Sequence, residues 1–238
     1  MKRTVYWTRI CALAAGVSAS SCALAGTPDG DLKKAYRAAF GQDGPVTLTL
    51  KDGYARFTPL QGVKTAFGYA LISGGQPVVG PNRDEPGFDA FASHASSPKV
   101  AVHYLTRDGA EFHLDQAFTP LLEIGSNFDG GPYARKGAVM DRAQTVYVEG
   151  KSMHQGYGCT ELAIVELRPS GPVEVARLLD AVDFSGAGKP DHLSGRIVHI
   201  VPGLSFDVAY RGNRRFIDHY VKSGDRYVRR GKSGVPQC

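Results

Sequence analysis

The sequence predicts a mainly β fold: a single antiparallel β-sandwich or barrel-like domain with one short N-terminal helix. Three observations carry that prediction. Apolar and polar residues alternate with a period of two through most of the chain. The 29 glycines and 14 prolines supply many turns but fall short of a disordered composition. No repeat of about 20–50 residues runs through the chain, which argues against a propeller or a solenoid.

The elements follow in order. Thr27, Asp29 and Asp31 offer helix caps, Leu32, Tyr36 and Phe40 recur at helical spacing, and Gly41 stops the helix. The period then changes. Val46 to Leu50 alternates, Asp52-Gly53 turns, and Tyr54 to Thr58 continues, which is a hairpin signature. Phe67–Ile72 and Val100–Leu105 are rich in aromatic and branched residues and predict two more strands. Residues 81–98 and 125–137 are rich in glycine and polar residues and predict loops. In the second half, strands are expected at Gln144–Glu149, Glu161–Arg168, Val173–Leu178, Arg196–Val201, Ser205–Tyr210, Arg215–Val221 and Arg226–Arg230. Short turns such as Pro202-Gly203 and Ser223-Gly224-Asp225 make this an antiparallel meander.

The first 25 residues have a different character. Lys2, Arg3 and Arg9 precede or open an apolar run from Ile10 to Val17, and the stretch ends Ala23-Leu24-Ala25. A positive start, a short apolar core and an A-x-A end are the parts of a secretory signal. Ser18, Ser20 and Ser21 interrupt the run well short of the about 20 residues that a spanning helix needs. The expectation is a signal peptide over 1–25, a single β-rich domain over 26–238, no membrane span after cleavage, and a periplasmic or secreted location.

That cut changes the global numbers. The full chain carries a formal charge of +5, but residues 26–238 hold 25 basic and 23 acidic side chains. Near-neutrality gives no support to nucleic-acid binding. The four cysteines become two, Cys159 and Cys238, which in an oxidising compartment pair most simply as one disulfide. The only tryptophan, Trp7, leaves with the signal.

Three local features bear on function. The segment 152–161 packs His154, Tyr157, Cys159 and Glu161 between two expected strands, the setting of a binding loop. Residues 211–232 hold eight basic side chains against Asp218 and Asp225, leaving the rest of 26–238 at −4. Arg214, Arg215, Arg229 and Arg230 are the candidates there for contact with an anionic partner, an envelope component or a protein.

The third is Asp183-Phe-Ser185-Gly-Ala187-Gly188-Lys-Pro-Asp191, which resembles the calcium loops of FG-GAP (integrin-type) repeats. The resemblance implies calcium ligands at Asp183, Ser185 and Asp191 and a chain reversal at Gly188. Ala187 stands where that family has a carboxylate, so one ligand is missing. The resemblance covers nine residues of a single loop.

Signatures of catalysis are weak. Gly231-Lys232-Ser233 echoes a phosphate loop, but Arg226 occupies the position of its first glycine. No G-x-S-x-G elbow and no H-E-x-x-H is present. The leading expectation is a binding module for an envelope component or protein. The alternative is a hydrolase of an envelope polymer, in which Asp129, His154 and Glu161 would have to converge in three dimensions.

Overall fold

The helix and both sheets follow from where the chain places its apolar side chains. A computed structural model describes residues 30–80, 96–126 and 131–238. Helix α1 (Gly30–Phe40) buries Leu32, Ala35 and Tyr36 at the predicted spacing. It stops at Gly41, whose φ is 78° and whose N–H donates to Arg37 O at 2.8 Å. That left-handed cap costs a glycine little. The expected caps Thr27 and Asp29 lie outside the described residues.

Strands β1 (Val46–Leu50), β2 (Gly53–Thr65), β3 (Gly68–Val78), β4 (Lys99–Asp108) and β5 (Glu111–Glu123) form one antiparallel meander in chain order. The predicted hairpin is present, with Leu50 opposite Gly53. The first sheet has two covered faces. Tyr69, Leu71, Leu105 and Phe112 pack under α1, and Tyr36 Oη donates to Phe57 O at 2.7 Å. Ala70, Ile72, Val100, Val102 and Tyr104 face the second sheet.

Several expectations for this half need correction. Strand β2 runs past Thr58 to Thr65, because a register shift between Pro59 and Gln61 absorbs the proline as a bulge. Strand β3 continues past Ile72 because Gly74 and Gly75 are strand residues. A Cβ on Gly75 would stand 2.7 Å from the Phe57 ring, so that ring covers the bare backbone. Strand β5 was not expected. It is the sheet edge and buries little beyond Phe112 and Leu122, so its alternation is faint.

Strands β6 (Tyr133–Lys136), β7 (Gln144–His154), β8 (Tyr157–Arg168), β9 (Gly171–Asp183), β10 (His192–Val201), β11 (Ser205–Gly212), β12 (Phe216–Ser223) and β13 (Arg226–Arg230) form the second meander, again in chain order. Strand β6 lies inside a segment expected to be loop. It has only four residues and buries Ala134 alone among them.

Strand β8 is buried on both faces. Ala163, Val165 and Leu167 pack toward the first sheet, completing the sandwich with Ile72, Val102 and Ile124. Leu162 and Ile164 point the other way, into a second core with Leu178, Phe206, Val208, Tyr210, Tyr220 and Tyr227. Residues of β8, β9, β11, β12 and β13 share that core, so the second sheet rolls over on itself. Fully burying a side chain such as Phe206 contributes about 2–3 kcal/mol.

The roll opens at one place. Strands β9 and β10 pair only over Ala181–Asp183 with His192–Ser194. Before that, β9 pairs with β8 alone. The Cys159–Cys238 disulfide joins β8 to the end of the chain across 79 residues, with Cα atoms 6.3 Å apart. No helix among the described residues is long and apolar enough to cross a membrane.

Candidate functional cleft

The open edge of β9, the edge of β13 and the C-terminal tail enclose a cleft of about 730 Å³. That size is in the range of small-ligand sites. Its apolar lining comes from Leu178, Tyr210, Tyr220, Tyr227 and Val235. Alternation along β11 and β12 turns Tyr210 and Tyr220 inward, and pairing of Lys222 with Tyr227 brings the third tyrosine to the same face. The Tyr210 hydroxyl donates to Leu179 O at 2.6 Å, fixing its ring against β9. Burial raises the pKa of Tyr220 to about 12 and that of Tyr210 higher still, so both phenols are neutral donors.

The charges are arranged asymmetrically. On the β9 side, Arg177 forks onto Glu174 at 2.7 and 3.1 Å, and also lies 3.6 Å from Glu161. Its third nitrogen donates to Glu123 O at 2.9 Å. On the β13 side stand Arg226, Arg229 and Lys232. Arg229 faces Tyr220 across the ladder, and its guanidinium donates only to Gly231 O, at 3.3 Å. None of these three cations has a carboxylate partner among the described residues.

The tail is a built wall. Ser233 Oγ donates to the buried carboxylate of Asp218 at 2.5 Å and accepts from Val235 N–H at 2.9 Å. Val235 packs on the second core, and Cys238 is bonded to Cys159. The tail is therefore tied at both ends while Lys232, Ser233, Val235, Pro236 and Gln237 line the cleft.

The structure separates the residues singled out in the sequence. Of the four arginines, Arg229 lines this cleft. Arg214 pairs with Asp191 at 3.0 Å in the β11–β12 turn, and Arg215 is exposed beside it. Arg230 is exposed opposite His219. Glu161 lies on the cleft wall, tied to Arg177. His154 ends β7, paired with Tyr157, and Asp129 lies outside the described residues.

Tyr157 has a packing role. Its ring meets Phe184 edge-on at 4.9 Å, and Lys189 Nζ lies 4.8 Å above it. The segment expected as a loop over 152–161 is instead the strand ends of a tight β7–β8 hairpin turning at Gln155-Gly156, and that hairpin end stacks on the 183–191 loop. Gly156, with φ of 83°, has no room for a Cβ beside the Gly186 backbone.

In the 183–191 loop the oxygens of Asp183 and Asp191 are engaged by groups of the protein itself. Asp183 Oδ1 accepts from Ser185 N–H at 3.0 Å and Ser185 Oγ–H at 2.7 Å. Asp191 Oδ1 accepts instead from Asn213 at 3.2 Å and from the Arg214 guanidinium at 3.0 Å. Gly188, with φ of 71°, makes the expected reversal after a turn of 3-10 helix at Ser185–Ala187. A guanidinium thus sits on one carboxylate, and a hydroxyl donates to the other.

The tyrosines, Lys232 and the Asp218–Ser233 pair were not expected from sequence. Alternation marks the inward face of β11 and β12, but only the roll brings that face to β9. No protein-family model, curated protein or solved structure matches the chain.

Proposed function

We propose that this protein is a binding module working outside the cytoplasm, and that its cleft takes an anionic envelope molecule with an apolar part. One observation carries the reading. Arg226, Arg229 and Lys232 line a tyrosine-rich cleft and none is ion-paired among the described residues, while the cleft's Glu161 and Glu174 are held by Arg177. An anionic head group would supply the countercharge, and the alkyl or ring portion of the same ligand would cover Leu178, Tyr220 and Val235. Charged hydrogen bonds at such a rim are stronger than neutral ones. The location rests on the 1–25 segment and on a disulfide, which fits an oxidising compartment. Loss of indole fluorescence from the exported protein tests the cut, because Trp7 is the only tryptophan.

Calorimetric titration with dodecyl phosphate below its micellar concentration, against a neutral detergent of equal chain length, tests the cleft. The reading expects dodecyl phosphate to bind at least about ten-fold more tightly. Equal affinity for the two, or no binding of either, contradicts it.

A further inference from the structure

The strands that line the cleft present a second surface on their other side. Directly opposed residues of antiparallel strands share a face. Across β10, β11, β12 and β13, one outward row reads Val198, Asp207, His219, Arg230. The row on one side of it reads Arg196, Ala209, Ile217, and the row on the other reads Val201, Ser205, Val221, Val228. Ser194 and Arg211 form a further row, while Arg226, beside Ser223 at the edge, belongs to the cleft lining.

Two properties set this face apart. Leu204, at the β10–β11 turn, is 65% exposed, and Val201, Ile217 and Val228 are each 47% exposed. Interspersed with them, Arg196, Arg211 and Arg230 are exposed, and none makes an ion pair or side-chain hydrogen bond among the described residues. The only carboxylate in these rows is Asp207, and it is occupied by His199 at 3.1 Å and His219 at 2.7 Å. A merely solvated face mixes both signs of charge and keeps branched aliphatics apart.

We infer that this outward face of β10–β13 docks on an anionic phospholipid bilayer. The aliphatic side chains suit the interface between head groups and acyl chains. The arginines extend apolar stems across the same surface and present guanidinium groups to lipid phosphates. A protein partner fits less well. Binding hot spots favour tyrosine and tryptophan as anchors, and Tyr210, Tyr220 and Tyr227 all turn to the inner core. A fluid anionic surface needs neither aromatic anchors nor a shaped pocket. Arg196, Arg211, Arg230 and Leu204 are not among the residues that line the cleft, so the two surfaces are separable by substitution.

Cosedimentation with vesicles tests this, using phosphatidylglycerol–phosphatidylcholine vesicles against phosphatidylcholine alone, at low and high salt. The protein binds the anionic vesicles, and salt weakens the binding. Each arginine removed costs about five-fold. The Arg196→Gln/Arg211→Gln/Arg230→Gln triple variant, whose exposed positions leave the melting midpoint in place, binds on the order of 100-fold more weakly. Leu204→Asp also weakens binding, whereas Arg229→Ala in the cleft does not. Equal binding to neutral vesicles, or wild-type binding by the triple variant, overturns the inference. So does indifference to Leu204→Asp combined with equal retention on polyglutamate beads, which would assign the face to an acidic macromolecule.

Discussion

Arg229 stands directly across the β12–β13 ladder from Tyr220, so a cation without a carboxylate partner shares the cleft-facing side with a buried phenol. That pairing places charge and apolar surface within reach of one ligand. It also separates Arg229 from the other arginines of the basic segment. Arg229→Ala and Lys232→Ala should each weaken dodecyl phosphate binding about ten-fold, by the loss of a charge-assisted contact. Arg215→Ala, in the β11–β12 turn, should leave it unchanged. Titration calorimetry on the three variants checks this.

The disulfide holds the cleft wall as well as the fold. Closing a loop of 79 residues restricts the unfolded chain by about 4 kcal/mol on the loop-entropy model. A Cys159→Ser/Cys238→Ser variant should lose about that much stability in denaturant titration. Its binding should also weaken, because the tail then hangs from the Ser233–Asp218 contact and Val235.

A buried and a half-buried group give the stability opposite pH slopes. Burial holds the pKa of His103 down to about 4, with Thr119 Oγ1 at 3.4 Å from its Nε2 and Phe40 edge-on at 4.7 Å. As pH falls from about 6.5 to 4, the unfolded chain takes a proton that the native state refuses. About 3 kcal/mol of stability is lost over that window. Asp180 behaves in reverse. Burial, with Glu149 nearby, raises its pKa to about 6. Its share of stability is complete below its ordinary pKa and is lost as pH rises through 6. Its partial exposure limits that share to about 2 kcal/mol. His103→Leu should flatten the acid limb, and Asp180→Asn should stabilise the protein at pH 8. Melting midpoints from pH 4 to 8 measure both.

Glu166 is buried, and both its hydrogen bonds from Arg168, at 2.8 and 3.0 Å, reach the same oxygen. Removing the guanidinium leaves a buried charge uncompensated. Arg168→Ala should therefore cost about 3–5 kcal/mol. Asp225 bonds Arg168 from a position 79% exposed, so Asp225→Ala should cost less than about 1 kcal/mol. Chemical denaturation of the two variants compares them.

The 183–191 loop closes with its own hydrogen bonds, so calcium followed by a chelator should leave the melting midpoint in place. A calcium-dependent rise would restore the ion-binding role that the resemblance to FG-GAP loops implies.

The β class, the helix with its Gly41 stop, and most strands of the second half were legible in the sequence. Their signals are local: helical spacing, alternation and glycine turns. What was missed has physical reasons. The expected strand stopped at Thr58, yet a bulge at Pro59 carries β2 on to Thr65. Edge strand β5 buries too few side chains to alternate clearly. The basic segment was legible as composition, but its division into a cleft residue (Arg229), an ion-paired residue (Arg214) and an outward residue (Arg230) depends on strand parity and on the roll. Tyr210 and Tyr220 fall in expected strands, but only the divergence of β9 from β10 opens a space in front of them.

The most direct test of the central claim is backbone amide shift mapping by NMR during titration with dodecyl phosphate. The account predicts that the largest changes fall on Leu178, Leu179, Val228, Arg229 and Val235, and that Arg229→Ala moves their midpoint to about ten-fold higher ligand. Changes that avoid β9, β13 and the tail, or a midpoint that Arg229→Ala leaves in place, would contradict it.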